Sequence, residues 1–344
     1  MIRIGVIGYG YWGPNLVRNF ADVPGCRVTM VSDTRPDRRA LVDARYPGVA
    51  TTADYRDLLR SPDVDAVAIA TPVSSHFPIA LEALHAGKHV WVEKPMTATS
   101  EEAIRLIDEA NRRALCLHVD HTFVYTGAVR KISELIRTGA LGRIYYYDSV
   151  RVNLGLFQRD VNVIWDLAVH DLSIMDHVLP VQPSALSVTA ARHVPGQPED
   201  VAYLTLFFDD STIAHIHVNW LAPVKVRRTL IGGSAKMIVY DDLEPSEKVK
   251  VYDKGLRLDD QTGARHQMLV GYRAGDMWAP QIEITEALQV EAKHFIDCIE
   301  RTQQSQTDGE AGLRVVRMLE AAAESMAGRG RVVELDVPKV KISA

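Results

Sequence analysis

A short apolar strand that runs directly into a glycine-rich turn and a helix start constrains this sequence more than any other feature. Residues 2–7 form the apolar run, and glycines follow at positions 8, 10 and 13. Pro14 then stands where the first turn of a helix tolerates proline. Because such a turn lets a phosphate approach helix N–H groups closely, this order predicts a dinucleotide-binding βαβ unit. A glycine-rich turn can also merely join a strand to a helix, so the surrounding pattern has to decide.

An acidic residue at the end of a second predicted strand favours the dinucleotide site. Asp33 stands twenty residues beyond Gly13. A carboxylate there accepts hydrogen bonds from ribose hydroxyls and repels a 2′-phosphate, which favours NAD over NADP. Arg35, Arg38 and Arg39 leave phosphate binding open, because a nearby arginine can accommodate a 2′-phosphate. They can equally form the solvated start of the next helix.

The charged tripeptide Glu93-Lys94-Pro95 closes a buried strand predicted for residues 89–92. Proline fixes its own φ and restricts the residue before it, so the backbone at Lys94 is expected to be extended where the strand stops. Ligands of doubly wound α/β folds lie at the carboxyl ends of the strands, which aims Lys94 at the ligand. An exposed Glu-Lys pair of little energetic weight is the alternative, and the apolar strand before it argues against that.

Other predicted cofactor contacts lie in the glycine turn and at strand ends. A third apolar strand, residues 64–70, ends at Thr71 and Pro72, which are expected to line the nicotinamide side of the cleft. His76 starts the next helix and either joins them or serves as a polar cap. The full predicted set is Gly8, Gly10, Tyr11, Trp12, Gly13, Asp33, Thr34, Arg35, Thr71, Pro72, His76, Glu93 and Lys94.

Length and patterning predict two domains and an α/β fold class. The chain has 344 residues, too many for one ordinary core. Strands alternate with helices through residues 1–122, which predicts an N-terminal Rossmann domain with parallel crossovers. Residues 123–344 are expected to form a C-terminal α/β domain that has an open, mostly antiparallel sheet and serves substrate binding and oligomerisation. One face of that sheet is a natural surface for a homodimer or homotetramer.

Specific elements are predicted for the second half. Strands are expected at residues 143–153, 183–193, 200–208, 212–221, 225–231 and 235–240. Helices are expected at residues 126–138, 164–179, 285–300 and 310–326.

Charge and cysteine content exclude several function classes. The formal net charge is −5 and no basic stripe stands out, so nucleic acid is not an expected partner. Cys26, Cys116 and Cys298 are far apart and odd in number, which indicates neither a disulfide framework nor a CxxC metal site. No apolar run approaches the roughly 20 residues that a membrane helix needs. No membrane partner is therefore expected, and a reducing cytoplasm is the expected location.

Asp166 and His170 are four residues apart in a predicted helix and so share one face. Oxidation of a secondary alcohol needs a hydride acceptor and a base for the hydroxyl proton. His170 can take that proton near neutral pH, Lys94 can donate a hydrogen bond to the oxygen, and Asp166 can orient them. An Asp/His pair at this spacing can also simply stabilise a helix.

A metal site that adds His215 and His217 to the Asp166 and His170 pair is the rival prediction. No compact His/Cys ligand set appears, and hydride transfer needs no Lewis acid once a lysine is present. No metal is therefore expected, and the two strand histidines are expected to be pocket-wall or sheet residues.

Taken together, these motifs resemble the Gfo/Idh/MocA family of oxidoreductases. The resemblance rests on the glycine turn at residues 8–13, on residues 93–95, and on Asp166 with His170, and it spans essentially the full chain. It implies a Rossmann domain, an open-sheet α/β domain, and NAD(P)-dependent oxidation or reduction of a sugar, inositol or related polyol. The family's lysine corresponds to Lys94 and its acid and histidine to Asp166 and His170. Ala168 departs from the glycine that the family often has there.

A narrower resemblance points to the branch that acts on nucleotide-linked amino sugars. Residues 10–15, 145–153, 163–167 and 240–245 carry it. Members of that branch oxidise the 3-hydroxyl of UDP-N-acetylglucosamine or its uronate ahead of a transaminase, which implies a nucleotide-sugar substrate here. The predicted substrate contacts are Lys94, His121, Arg151, Asn153, Asp166 and His170.

Among these contacts, Arg151 and Asn153 alternate onto one face of a predicted strand. They can present a cation and an amide to a diphosphate or sugar, with His121 beside them. All three are equally explicable as polar residues of a sheet surface.

Three alternatives stand beside the 3-dehydrogenase. The first is an NAD(P)H-dependent ketoreductase of a nucleotide-linked deoxysugar, since hydride transfer is reversible. The second is a dehydrogenase of inositol or free sugars. The third is a cofactor-bound sensor without turnover, against which the complete set of Lys94, Asp166 and His170 argues.

Overall fold

The chain folds into two compact units, seen here in a computed structural model that describes residues 1–155, 161–258 and 270–336. The first unit comprises Met1–Thr126 with Ile284–Glu320, and the second comprises Gly127–Glu283 with Ala321–Ala344. The predicted boundary at residue 122 lies close to the first crossing between units. The predicted second domain differs, because residues 284–320 return to the first unit.

A six-stranded, wholly parallel sheet forms the centre of the first unit. Its strands β1 to β6 are Ile2–Ile7, Cys26–Ser32, Ala50–Thr52, Ala66–Ile69, His89–Glu93 and Leu117–Asp120. Their spatial order is β3-β2-β1-β4-β5-β6, so the order reverses between β1 and β4. That reversal is the switch point at which doubly wound sheets bind dinucleotides, and the predicted Rossmann fold is confirmed.

Helices cover both faces of this sheet. Helices α1 to α5 are Gly13–Asp22, Pro36–Arg45, Arg56–Arg60, His76–His85 and Ser100–Arg113. The T-x-x-E sequence at residues 99–102 predicts a capping box, and at the start of α5 the Thr99 Oγ1 accepts from Glu102 N at 3.2 Å. Strand β5 shows the two-sided burial, since Trp91 packs with α1 on one face and its neighbours Val90 and Val92 pack with α4 and α5 on the other.

The second unit begins with helix α6, Gly127–Arg137, and is built on a nine-stranded mixed sheet. Strand β7 is Ile144–Leu154, a π-helical turn spans Ile164–Ala168, and helix α7 is Val169–Val178. Strands β8 to β16 are Ala185–Ala191, Val201–Phe207, Ile213–Asn219, Leu221–Gly233, Met237–Asp241, Val249–Tyr252, Gly255–Leu258, Val270–Arg273 and Met277–Trp278.

Helices α8 and α9 are Ala287–Arg301 and Gly309–Ala327, and β17 is Val333–Glu334. The large sheet runs β16-β13-β12-β11-β7-β10-β9-β8-β17, and β14 pairs with β15 separately. Its pairs are antiparallel except for β7 with β10. The predicted α/β unit with a mostly antiparallel sheet is therefore confirmed.

Helices α8 and α9 complete the cover of the parallel sheet of the first unit. Leu288 and Phe295 of α8 join the core around Trp91, and Leu313 and Val316 of α9 join the core on the opposite face. The amphipathic pattern predicted these helices, but the pattern does not say which sheet they cover. In the described ranges, none of the helices has the length and apolar character needed to cross a bilayer.

Candidate active site

The glycine turn between β1 and α1 has the shape that a dinucleotide requires. Gly8 has a φ of +96°, and a Cβ at Gly13 would lie 2.2 Å from Gly8 O, so glycine is needed at both positions to close the turn. A Cβ at Gly10 would meet nothing within 4 Å. The turn is therefore open on the side of Gly10, where the pyrophosphate of a Rossmann ligand approaches the backbone. Helix α1 carries no acidic residue in its first turn, which keeps that end favourable for an anion.

Asp33 is held at the end of β2 by backbone donors. Its Oδ2 accepts from Tyr9 N at 2.7 Å, and its Oδ1 accepts from Arg35 N at 2.9 Å. Carboxylate oxygens have two lone pairs each, so both can still accept from ribose hydroxyls. The Arg35 guanidinium pairs with Asp37 at 3.0 Å, and Arg39 donates to the carbonyl oxygen of Asp33 at 2.7 Å. Two of the three arginines that could have bound the 2′-phosphate of NADP, Arg35 and Arg39, therefore have partners within the protein.

The His76 side chain hydrogen-bonds the backbone of the turn after β5. Its Nδ1 lies 2.9 Å from Pro95 O and its Nε2 lies 2.8 Å from Thr71 O. The ring is 1% exposed, and burial lowers its pKa, so His76 is neutral at physiological pH. It ties the end of β4 to the residue after Lys94, and its contact with a cofactor stays a prediction.

Three carboxyl groups lie together at the carboxyl ends of β5 and β6. Glu93 ends β5 and Asp120 ends β6, and the two residues are register partners in the sheet. Glu291 reaches them from α8 and is fully buried. Both glutamates hydrogen-bond the Asp120 carboxyl, and burial, followed by the charge of Asp120, raises the pKa of each well above its usual value. We name Glu93, Asp120 and Glu291 the carboxyl cluster.

Neutral donors complete the surroundings of Asp120. Trp12 Nε1 donates to its Oδ2 at 3.0 Å, and the Thr122 hydroxyl donates to its Oδ1. Trp12 belongs to the glycine turn, so its indole joins the predicted phosphate loop to the end of β6. This contact gives Trp12, a predicted cofactor residue, a positioning function within the turn.

Two buried histidines of β6 and its end flank the cluster. His118 lies 3.1 Å from Glu291 Oε1 through Nε2 and 2.7 Å from Ser305 Oγ through Nδ1. His121 is 2% exposed, and neither of its ring nitrogens has a hydrogen-bond partner within the described ranges. Burial lowers the pKa of His118 well below its usual value and that of His121 to about 4. A buried imidazole without partners is rare, which fits the predicted contact of His121 with a ligand; that contact stays a prediction.

In the second unit, Asp166 lies in a π-helical turn where one continuous helix was predicted. Its Oδ2 accepts from the indole Nε1 of Trp220 at 3.0 Å, and Trp220 is fully buried. A π-helical turn adds a residue per turn and is frequent at functional sites. It ends where α7 begins, so Asp166 and His170 lie on either side of the junction and not in one α-helix.

His170 lies in the first turn of α7, where its Nδ1 is buried. Its carbonyl oxygen accepts from the Ser173 hydroxyl at 2.8 Å. The predicted joint action of Lys94 with Asp166 and His170 involves residues of both units and stays a prediction.

Arg151, predicted to bind substrate, forms a buried ion pair on β7. Its Nε donates to Asp171 Oδ2 at 2.6 Å, and the two side chains are only 4% and 3% exposed. The Ser149 hydroxyl also donates to Asp171, at 2.6 Å. Arg151 therefore has a structural partner on α7, whereas Asn153, two residues along the strand, is half-buried. Substrate contact by either residue stays a prediction.

The strand histidines of β10 lie on the face of the sheet that also carries Tyr203 of β9. His217 stacks on Tyr203 with 4.4 Å between ring centroids, and His215 Nδ1 lies 3.6 Å from Asp148. Among the described residues, no three or more His, Cys, Asp or Glu side chains are grouped as a metal would require. These histidines are sheet residues, and that no metal takes part stays a prediction.

Sequence reasoning missed four residues that support candidate site residues within their own unit: Trp220 in the second unit, and His118, Asp120 and Glu291 in the first. Each had a signal. Asp120 stands next to His121 at a strand end, as Glu93 stands next to Lys94. Glu291 occupies an apolar position of α8, between Leu288 and Phe295, and a carboxyl at such a position is buried when the helix packs.

Both units match families of known proteins. Residues 2–121 match the family model described as "Oxidoreductase family, NAD-binding Rossmann fold". Residues 129–239 match the one described as "GFO/IDH/MocA C-terminal domain". The uncharacterized oxidoreductase YdgJ of Escherichia coli is 30% identical over 263 residues, which cover 72% of this chain and 73% of that protein.

Two further relatives have described substrates. UDP-N-acetylglucosamine 3-dehydrogenase of Acidithiobacillus ferrooxidans is 28% identical over 92% of this chain and 94% of its own. A solved structure of it superposes with a TM-score of 0.81 at 26% identity, covering 95% of this chain and 98% of that one. The dTDP-3,4-didehydro-2,6-dideoxy-alpha-D-glucose 3-reductase of Streptomyces violaceoruber is 38% identical, but over 42% of each chain.

Proposed function

The chain belongs to the Gfo/Idh/MocA family of NAD-dependent oxidoreductases, and on that premise we propose that it oxidises a secondary hydroxyl of a nucleotide-linked sugar. The hydroxyl is that at C3, and the sugar is UDP-N-acetylglucosamine or its uronate. The observation that carries this proposal is the similarity to the UDP-N-acetylglucosamine 3-dehydrogenase, which extends over 92% of this chain and therefore includes both units. Such breadth matters because the cofactor unit alone does not select a substrate.

Three side chains carry the chemistry in this proposal. NAD supplies the hydride acceptor. His170 takes the hydroxyl proton, and Lys94 donates a hydrogen bond to the oxygen as it becomes a carbonyl. Asp166 orients this pair, and the indole N–H of Trp220 fixes the Asp166 carboxylate. His121, Arg151 and Asn153 are the proposed additional substrate contacts.

The substrate is tested by coupling the reaction to its consumption. Purified protein is mixed with NAD, a downstream aminotransferase, glutamate and either UDP-N-acetylglucosamine or its uronate. The aminotransferase removes the ketone and draws the reaction forward, and a 3-amino sugar is expected by mass spectrometry. Absence of that product with both sugars contradicts the substrate proposal.

The role of Lys94 is tested by Lys94→Met. The apolar side chain keeps the length but removes the hydrogen-bond donor, so we expect turnover to fall by about 10²–10⁴-fold while NAD still binds. Lys293→Met changes an exposed lysine of α8 and is expected to retain turnover. Unchanged turnover in Lys94→Met contradicts the assignment.

Ketoreduction of a nucleotide-linked deoxysugar is the second candidate, favoured by the similarity to the 3-reductase of Streptomyces violaceoruber. That similarity covers only 42% of this chain. It is therefore weaker support for a substrate than the similarity to the 3-dehydrogenase, which covers 92%. Oxidation of NADH by a dTDP-3-keto-deoxysugar, without activity on UDP-N-acetylglucosamine, identifies this reaction instead. A dehydrogenase of free sugars or inositol stays the third candidate.

We propose that the protein is a homo-oligomer that associates through the nine-stranded sheet. Tyr203, Phe207 and Ile213 are exposed on one face of β9 and β10, while alternate residues of the same strands are buried. Light scattering of Phe207→Glu tests this, since a charge on the face is expected to shift a dimer or tetramer towards the monomer. The cytoplasm stays the expected location.

A further inference from the structure

The proposed chemistry leaves the carboxyl cluster of the first unit without a function. Asp120 and Glu291 are at most 1% exposed, and Oε1 of Glu93 and Oε2 of Glu291 are buried oxygens that receive no N–H or O–H donor within the described ranges. Three ionised carboxylates in contact would repel one another strongly. The oxygens without donors are accounted for if each glutamate carries a proton and donates it to Asp120.

On this assignment, Glu93 and Glu291 each hold a proton that the carboxyl cluster can release. Burial raises the pKa of Glu93 and Glu291 well above the usual value, so both are protonated over a pH range in which an exposed glutamate is ionised. Among the residues that the structure describes, the neutral donors Trp12 and Thr122 also hydrogen-bond Asp120. Loss of one proton would place a second negative charge in the cluster.

The other titratable groups around the cluster do not compete for protons near neutral pH. Burial lowers the pKa of His118, His121 and His294, so all three are neutral there. Burial also raises the pKa of Tyr125 well above its usual value, so the phenol keeps its proton. The cations that face these groups are Lys94, after β5, and Arg314, on α9.

A chain of hydrogen-bonding groups connects the cluster to the surface of the first unit. Glu291 lies 3.1 Å from His118, whose Nε2 is 3.5 Å from Thr307 Oγ1. The Thr307 hydroxyl lies 3.2 Å from Tyr125 OH, which lies 2.9 Å from His294 Nδ1. These contacts form a line of hydrogen-bonding groups from Glu291 to His294, which is half-buried.

The position of the cluster relates it to one end of the cofactor. Glu93 and Asp120 end β5 and β6, in the half of a doubly wound sheet that receives the nicotinamide mononucleotide. The nicotinamide ring is positively charged in NAD⁺ and neutral in NADH. A positive charge near buried carboxyls favours their ionised form.

We propose that the carboxyl cluster releases a proton when NAD⁺ binds and holds that proton when NADH is bound. Binding then exchanges one positive charge for another, because the ring enters as a proton leaves. Oxidation of an alcohol by NAD⁺ gives a ketone, NADH and one proton, and the ionised cluster can take up a proton as the ring loses its charge. The inference rests on NAD binding and not on the nucleotide-sugar substrate.

Calorimetry of cofactor binding tests the proposal without any substrate. NAD⁺ and NADH are titrated into the purified protein at neutral pH in phosphate and in Tris, whose ionisation enthalpies differ. The difference in heat between buffers gives the number of protons released. We expect about half to one proton for NAD⁺ and close to none for NADH, and the NAD⁺ dissociation constant is expected to fall by up to about tenfold per pH unit as pH rises.

Substitution identifies the source of the proton. The double variant Glu93→Gln with Glu291→Gln keeps side chains of the same shape that cannot ionise, so release on NAD⁺ binding is expected to disappear. Glu300→Gln, an exposed position on α8, is the matched control and is expected to release protons as the wild type does. Equal release with NAD⁺ and NADH in the wild type overturns the proposal, as does release that persists in the double variant. If the double variant does not fold, the wild-type comparison of the two cofactors still decides.

Discussion

The two units neutralise buried carboxyl groups in different ways. In the second unit, Asp171 receives the Arg151 guanidinium at 2.6 Å, and the pair is almost fully buried. In the first unit, Glu93 and Glu291 hydrogen-bond Asp120 and are kept protonated by burial. An ion pair has a fixed number of protons, whereas a group of carboxyls can gain or lose one. An ion pair therefore suits a rigid support, and a group of carboxyls suits a site whose charge changes with its ligand.

Arg151→Met is expected to have the largest effect on stability. It leaves the charge of Asp171 buried without its cation, which costs about 3–5 kcal/mol of unfolding free energy. Urea unfolding followed by circular dichroism measures the change. Arg192→Met breaks an exposed pair with Glu199 and is the control, with an expected loss of about 0–1 kcal/mol. Equal losses in the two variants would show that the buried pair is no different from a surface pair.

The pH dependence of stability separates the carboxyl cluster from the ion pair. Glu93 and Glu291 have raised pKa values in the folded state, so the folded protein binds more protons than the unfolded chain above the unfolded pKa of about 4.3. Their stabilisation is complete below that pKa and is lost as pH rises towards the folded pKa. The unfolding free energy is expected to fall by up to about 1.4 kcal/mol per pH unit for each group.

Unfolding of the wild type and of the Glu93→Gln, Glu291→Gln double variant at a series of pH values tests this sign. The variant is expected to lose less stability as pH rises above the unfolded pKa of about 4.3, because its amides do not titrate. Parallel curves would mean that the two glutamates do not carry the extra protons.

Each unit also fixes one aspartate with an indole N–H, at 3.0 Å in both cases. In the second unit, Trp220→Phe removes the donor to Asp166. A hydrogen bond to a charged group contributes about 1.5–3 kcal/mol, so we expect turnover to fall by about tenfold or more while the NAD dissociation constant is unchanged. Steady-state kinetics together with NADH fluorescence titration separates the two quantities. A changed NAD affinity with normal turnover would contradict the role given to Asp166.

The corresponding change in the first unit, Trp12→Phe, has the smallest expected effect. Asp120 keeps its contacts with Thr122 and the two glutamates, so we expect a loss of about 1 kcal/mol in NAD binding, a rise of about fivefold in the dissociation constant. Titration with NADH fluorescence measures it. Trp278→Phe changes an exposed tryptophan and is the control. If turnover falls and NAD affinity does not, Trp12 does not act through the glycine turn.

Local patterns predicted most of the elements because strands and helices have short repeats. The glycine turn, the strand before Lys94 and the capping box at Thr99 are each formed by residues that are close together in the sequence. A local pattern was therefore enough to predict them. Strand β3 was missed, since its three residues, Ala50–Thr52, are too few to show alternation. The π-helical turn at Asp166 was also missed, because the sequence there reads as a continuous helix.

The carboxyl cluster could not be predicted because its members are far apart in the chain. Glu291 approaches Asp120 only because α8 returns to the first unit, and amphipathic patterning does not specify which sheet a helix covers. The two tryptophans illustrate the same limit, since Trp12 and Asp120 are 108 residues apart. A sequence shows that a side chain is polar at an apolar position, but its partner depends on the assembled fold.

The return of residues 284–320 to the first unit has a consequence for biosynthesis. Until α8 and α9 leave the ribosome, each face of the parallel sheet lacks one of its covering helices, with apolar side chains such as Trp91 partly uncovered. Domains usually fold in the order of translation. Here the first unit can finish only after residues 284–320 have followed the intervening segment of the second unit, and nascent chains released before α8 would depend on chaperones.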